Sequence, residues 1–228
     1  NQTVSLIEAH PYLSFSIAIC IIIGASIKSA MFPFSSWVAR AMEGPSSSSA
    51  IFYGSLSIHL GVFLLLRTYD FWSQVPYANY IIIILGIITS FICGAITKSQ
   101  ATVKTQIAYA SITQIGLIFI EIGLGFKTLA IIHFVGNSFF RTYQILVSPS
   151  VMHYLIHNQL FAAVKTNKKR PNIISNTIQM LSIKEFNMDT TLFKYLWQPF
   201  KIIGSKLSFL NNSIRMKVST NADNNESP

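Results

Sequence analysis

Five apolar runs, each close to the ~20 residues that a membrane-crossing helix needs, take up most of the first two thirds of the chain. They are Tyr12–Ala30, Ser48–Leu66, Ala78–Ile96, Thr105–Gly123 and Thr128–Val147. Short polar connectors separate them. Composition agrees: 51% of the 228 residues are hydrophobic and only 11% are charged, against roughly 25% charged in a soluble domain. A soluble fold of this size lacks the polar surface to cover so much apolar area. The predicted fold class is therefore an all-α integral membrane protein with about five transmembrane helices and an amphipathic tail.

The second, fourth and fifth runs contain Ser, Thr, Gln and His, so those helices are expected to pack against protein rather than lipid. Pro33 and the Gly44-Pro45 pair lie between the first two runs and predict a broken helix or re-entrant loop there. Irregular backbone at membrane depth is tolerated where it is buried in protein or lines a cavity. Ser148-Pro149 is expected to end the fifth run.

Charge orients the spans. Arg40, Lys98, Lys104, Lys165, Lys168, Lys169 and Arg170 fall on one side, and only Arg67 and Lys127 on the other. The positive-inside rule puts the first side in the cytoplasm, with the N-terminus outside and the tail inside. The expected location is multi-pass in a cell inner membrane. The expected organisation is a membrane domain over 1–150, a cytoplasmic tail over 151–210 and a disordered end over 211–228. In the tail, Lys165–Arg170 forms a basic connector. Asp189–Leu210 is rich in aromatic and aliphatic residues, interrupted at Pro199, and Leu192, Tyr195 and Leu196 share a helical face away from Lys194 and Lys201. That pattern suits a helix lying on membrane lipid or a docking surface for a partner. No nucleic acid is expected, because a basic run beside membrane spans is better matched to lipid.

Several residues stand out chemically. Lys28 follows a long apolar stretch. A lysine at mid-membrane costs roughly 2.5–3.5 kcal/mol and marks ion or proton movement, whereas one near a helix end can snorkel to the surface. His59 lies in the second run and His133 in the fifth. Histidine is the side chain best suited to proton relay near neutral pH, although an isolated one more often packs through hydrogen bonds. Asn137 and Arg141 follow His133 at four-residue intervals and share its helical face. Glu121, near the end of the fourth run, either pairs with a cation or sits at the interface. Cys20 and Cys93 lie inside apolar runs and have no metal-ligand spacing. No GxGxxG, P-loop, HExxH or CxxC motif is present, so no catalytic site and no cofactor are expected.

Lys28-Ser29-Ala30-Met31-Phe32-Pro33-Phe34-Ser35-Ser36-Trp37, with Ala41-Met42-Glu43-Gly44-Pro45, resembles the pattern KSAQxPFHxWLxDAMxGPTPVSALIH of the proton-conducting antiporter-like family. That family includes NADH-quinone oxidoreductase subunit L (chain 5) and the large subunits of Mrp-type sodium/proton antiporters. Val103-Lys104 and the run Ala108–Gly116 resemble IKxxLAYSTxSQxG, and His133–Arg141 resembles HxxxHAxFK. The resemblance implies that Lys28 is the mid-membrane lysine of a half-channel and that His133 and Arg141 occupy polar positions on its inner axis; the expected proton path takes in Lys28, His59, His133 and Arg141, with Tyr53 and Lys104 as further members. Three positions depart from the pattern: Arg40 replaces an Asp, Tyr53 a His and Asn137 the second His.

The segments SSAIFYG and YASITQIGLIFIEIGLG, and the run Arg141–Leu146 followed by Ser148-Pro149-Ser150, are similar to the DabB subunits of energy-coupled inorganic carbon transporters. This similarity implies proton or sodium flux that drives carbon dioxide or bicarbonate uptake. The implied partners are a DabA-like zinc carbonic-anhydrase-related subunit and a separate polypeptide supplying the upstream membrane half. The alternative is a piece of NADH-quinone oxidoreductase subunit L. A third possibility is a non-conducting membrane scaffold.

Overall fold

A computed structural model of the protein describes residues 7, 9–161 and 173–208, with backbone alone for 150–161 and 173–175. The basic connector at 165–170 and the polar end at 211–228 lie outside the described residues. Among those described, every regular element is helical. Four helices are long and apolar enough to cross a membrane: α1 (Pro11–Lys28), α3 (Ser46–Arg67), α5 (Ala78–Thr97) and α6 (Val103–Gly123). Their ends fall within two residues of the expected runs. Large apolar side chains such as Ile23, Phe63, Ile84 and Phe91 lie exposed on these helices, as a surface in contact with lipid requires.

The fifth run falls within α7 (Lys127–Phe161), which is long enough to span but is not among those four. It carries its polar residues on the face turned to α6. It also passes through Pro149, where the sequence pattern predicts a helix end. Proline removes the N–H that would bond the carbonyl four residues back, and Ser148 replaces it: its Oγ donates to the Ile145 carbonyl at 2.7 Å.

The link between α1 and α3 bears out the expected interruption. After α1 the chain turns through left-handed Ala30 (φ 54°) and a cis Phe32–Pro33 peptide into short α2 (Ser36–Ala41). Residues 29–39 of this link are buried or half-buried, with Met31 and Val38 fully enclosed, and the Phe32 N–H donates to Thr89 Oγ1 of α5 at 3.1 Å. It is thus protein-covered backbone of the kind membranes tolerate. The second span is itself irregular. Over Ala50–Leu56 it widens to a π-helix, with Ser57 N–H donating to the Phe52 carbonyl at 2.6 Å. After α3, short α4 (Tyr69–Trp72) leads towards α5.

α5 and α6 form a hairpin packed through small residues. A Cβ on Gly86 would stand 2.6 Å from the Gly116 carbonyl, and one on Gly116 would stand 2.9 Å from the Gly86 carbonyl. Backbones can approach this closely only where side chains are absent. Thr102 caps α6 by accepting from Thr105 N–H at 3.2 Å, and Gly125 (φ 88°) turns the chain from α6 towards α7.

Two compact units are present, residues 1–186 and 187–228. The first also holds α8 (Ile173–Ile183). Within the second, a helical run over 188–208 (α9) widens to a π-turn over Phe193–Trp197 and continues through Pro199. The expected break at Pro199 is absent, because the wider turn just before it relieves the missing N–H and the ring of proline. Leu196, Trp197, Phe200, Ile203 and Leu207 of this run are exposed along one side.

Candidate functional site

The polar residues of α6 and α7 meet along one seam. On α7, His133, Asn137, Arg141 and Gln144 recur at intervals of four, four and three, a single helical stripe. On α6, Ser111, Gln114 and Glu121 fall on one flank by the same rule. The π-turn of α3 delivers His59 to the same place. Gly54 lets α3 close on α7, since a Cβ there would stand 3.1 Å from the Thr142 backbone. Ser138 Oγ donates to the Ser55 carbonyl at 3.3 Å.

The resulting hydrogen bonds fall into two groups along the seam. Glu121 Oε1 lies 2.8 Å from His133 Nδ1, and His133 Nε2 lies 3.0 Å from Gln114 Oε1. One helical turn further on, Asn137 Nδ2 lies 3.0 Å from His59 Nε2 and 3.4 Å from Ser111 Oγ. Arg141 closes the chain. Its Nε donates to Asn137 Oδ1 at 3.2 Å, its Nη1 to Gln144 Oε1 at 2.6 Å and its Nη2 to the Ala110 carbonyl at 3.3 Å. His59 is 1% exposed and Asn137 6%, and the His59 ring meets Phe134 edge-on at 5.5 Å. The guanidinium is thus held at seam level by three acceptors. Buried polar groups are stable only when paired in this way.

The six residues singled out from sequence are distributed unevenly. His59, His133 and Arg141 lie in this network. Tyr53 is half-buried, its ring edge-on to Trp37 at 6.0 Å. Lys104 is set apart at the start of α6, where its Nζ donates to the Gly44 carbonyl at 2.6 Å and ties α6 to the interrupted link. Lys28 is the last residue of α1 and is exposed. The neighbouring Ala25 and Ser29 pack against Gly61 of α3.

Five members of the network lie outside those six: Asn137 and Gln144 on α7, and Ser111, Gln114 and Glu121 on α6, the last three signalled in the sequence by polar residues spaced three and seven apart. A separate cluster closes the opposite end of the bundle, where Lys127 Nζ pairs with Asp70 Oδ1 at 2.9 Å and sits 3.7 Å over the Tyr69 ring.

With this geometry in place, the similarities are informative. Residues 4–198 match the family described as NADH:quinone oxidoreductase/Mrp antiporter, transmembrane. The chain is 36% identical over 137 residues to NADH-quinone oxidoreductase subunit L of Campylobacter jejuni, which covers 60% of this chain and 23% of that protein. It is 38% identical over 135 residues to NADH-ubiquinone oxidoreductase chain 5 of Paracentrotus lividus, covering 59% and 21%. It is 32% identical over 152 residues to the chloroplastic NAD(P)H-quinone oxidoreductase subunit 5 of Ranunculus macranthus, covering 65% and 21%. The chain therefore spans about a fifth to a quarter of the length of these relatives. They favour the respiratory alternative over the carbon-uptake reading.

Proposed function

The chain belongs to the NADH:quinone oxidoreductase/Mrp antiporter transmembrane family, and from that premise we propose that it conducts protons as part of a membrane subunit of the NADH-quinone oxidoreductase L/5 type. The observation that carries the reading is the hydrogen-bonded seam of two histidines, an arginine and a carboxylate inside a bundle of apolar helices. Ionisable groups at membrane depth are costly and mark ion or proton pathways. The path runs through Lys28, His59, His133 and Arg141, with Tyr53 and Lys104 at its margins. The positive-inside rule places the N-terminal end of α1 outside and the tail in the cytoplasm. The protein partners are other subunits of a membrane complex, including whatever polypeptide covers the exposed face of α1.

Carbon uptake with a DabA-like zinc subunit is the second reading. It is favoured by Asn137 and Arg40 standing where the respiratory pattern has His and Asp, and by the exposed aromatic side of α9. Co-purification from the native membrane separates the two: redox subunits on the one hand, a large zinc protein on the other.

The transport reading itself is tested at Lys28 in the assembled complex. Lys28→Met is expected to abolish proton uptake by membrane vesicles while the protein stays inserted. Lys28→Arg is expected to fail as well, because arginine does not release its proton. Near-normal uptake by Lys28→Met would make Lys28 a snorkelling surface residue and remove it from the path.

A further inference from the structure

Arginine has only donors to offer. Because Arg141 Nε donates to Asn137 Oδ1, the oxygen of that amide faces the guanidinium and its NH₂ group faces the other way, towards His59 Nε2 and Ser111 Oγ. The reverse orientation would set NH₂ against a guanidinium. His59 must then accept at Nε2 and carry its ring proton on Nδ1. An amide NH₂ group gives a hydrogen bond, but it neither surrenders a proton near neutral pH nor offers a basic lone pair in exchange. His133 meets the same kind of barrier. Its Nε2 faces the carbonyl oxygen of Gln114, another amide. On its other side, Nδ1 faces Glu121 Oε1 at 2.8 Å, and Glu121 Oε2 is buried with no hydrogen-bond partner among the described residues.

We propose that the seam is cut at two of its amides, Gln114 and Asn137: Glu121 and His133 form a self-contained proton-holding pair, and Asn137, locked by Arg141, is a closed step that insulates this pair from His59. Within the pair, the proton moves from the carboxyl oxygen of Glu121 to His133 Nδ1. An O–H bond breaks, an N–H bond forms, and the net charge of the pair is unchanged. Passage towards His59 requires the Asn137 amide to leave its place, so the Arg141–Asn137 hydrogen bond is the latch of a gate. Glu121 is accordingly a proton-handling residue of this chain. The inference rests on the proton-conducting reading for its purpose, but not for its test.

The experiment uses the full chain with ¹⁵N-labelled histidine in lipid nanodiscs, and NMR to follow exchange of the ring N–H protons with water. Signals are assigned by replacing His59 or His133 with Phe. Glu121→Gln is expected to slow exchange at His133 by about tenfold, equivalent to ~1.4 kcal/mol of barrier, and to leave His59 as it was. Asn137→His is expected to speed exchange at His59 by a similar factor, since a second imidazole can relay what an amide cannot. Arg141→Met, which unlatches the amide without replacing it, is expected to act in the same direction and serves if Asn137→His does not fold.

Slowing of His59 by Glu121→Gln as large as that of His133 would show a through-connection and overturn the insulated step. So would exchange at His59 unchanged in both Asn137→His and Arg141→Met, or equally fast exchange at the two histidines in the unmodified chain by a route of bound water. None of these readings depends on transport. A chain that proves not to conduct leaves the insulated step standing, and a conducting chain with coupled histidines removes only the step.

Discussion

Helix α6 has two seams of opposite character. Towards α5 it is dry and close: Gly86 and Gly116 bring the backbones together, Gly123 admits Ile83, and Ser90 Oγ donates to the Thr113 carbonyl at 3.1 Å. Towards α7 it is a ladder of amides, imidazole, carboxylate and guanidinium. In lipid there is no hydrophobic drive between helices, so association comes from close packing and from interhelical hydrogen bonds. α6 uses the first on one side and the second on the other. The dry seam depends on shape and tolerates no added atoms. The polar seam depends on pairing and tolerates changes of shape that keep the pairs. A fixed hairpin thereby carries one wall of a site whose protons can move.

The contrast is broken most severely at Gly116. Gly116→Ile places a Cβ 2.9 Å from the Gly86 carbonyl and 3.0 Å from the Ser90 amide nitrogen, and neither backbone atom can yield. Overpacking of this kind costs ~1–3 kcal/mol, and we expect the upper end, read as a lowered midpoint of unfolding in bicelles. A midpoint unchanged from the parent would show that the seam is loose.

A smaller effect is expected at Asn137. Asn137→Leu strands His59 Nε2 and Arg141 Nε, a loss of ~1–2 kcal/mol. The sharper measurement is a double-mutant cycle with His59→Leu. Coupling of about 0.5–1 kcal/mol is expected between these two positions, and additivity between His59→Leu and Gly116→Ile, which lie on opposite seams. Additivity in both cycles would deny that the ladder acts as a unit.

The smallest effect belongs to the outer end. Lys127→Ala removes a pair with Asp70 whose side chains are 45% and 90% exposed, and exposed pairs contribute about 0.2–1 kcal/mol before salt screening. A shift near the bottom of that range, vanishing at high salt, is expected. A larger, salt-independent loss would mean that the contact of Lys127 with the Tyr69 ring dominates.

Much of this contrast is legible in the sequence. The spans are visible because lipid demands long apolar runs, and Ala78–Thr97 and Val103–Gly123 form helices at nearly the expected limits. The α7 stripe is visible because His133, Asn137 and Arg141 repeat every four residues. The partners across the seam are not, because a helical period says which residues share a face but not which face they meet. Lys28 shows the converse: its long apolar approach suggests a deep position, yet it is the last residue of α1 and exposed. The π-turns over Ala50–Leu56 and Phe193–Trp197 carry no periodic signal, since one extra residue per turn merely shifts the phase of the residues beyond it. Pro149 and Pro199 mislead for a shared reason. Proline ends a helix only when nothing else satisfies the carbonyl it abandons, and that compensation is local, a serine hydroxyl in one case and a widened turn in the other.

The hydroxyl of Ser148 has a mechanical consequence. By keeping α7 unbroken through Pro149, it makes Lys127–Phe161 one rod of 35 residues, about 50 Å long at 1.5 Å per residue, well beyond the ~30 Å thickness of a bilayer's hydrocarbon core. A rod transmits torsion: whatever angle His133 turns about the axis, residue 161 turns with it. Were Ile145 left unsatisfied, the shaft would acquire a universal joint at its midpoint, and motion at one end would be lost as bending before it reached the other.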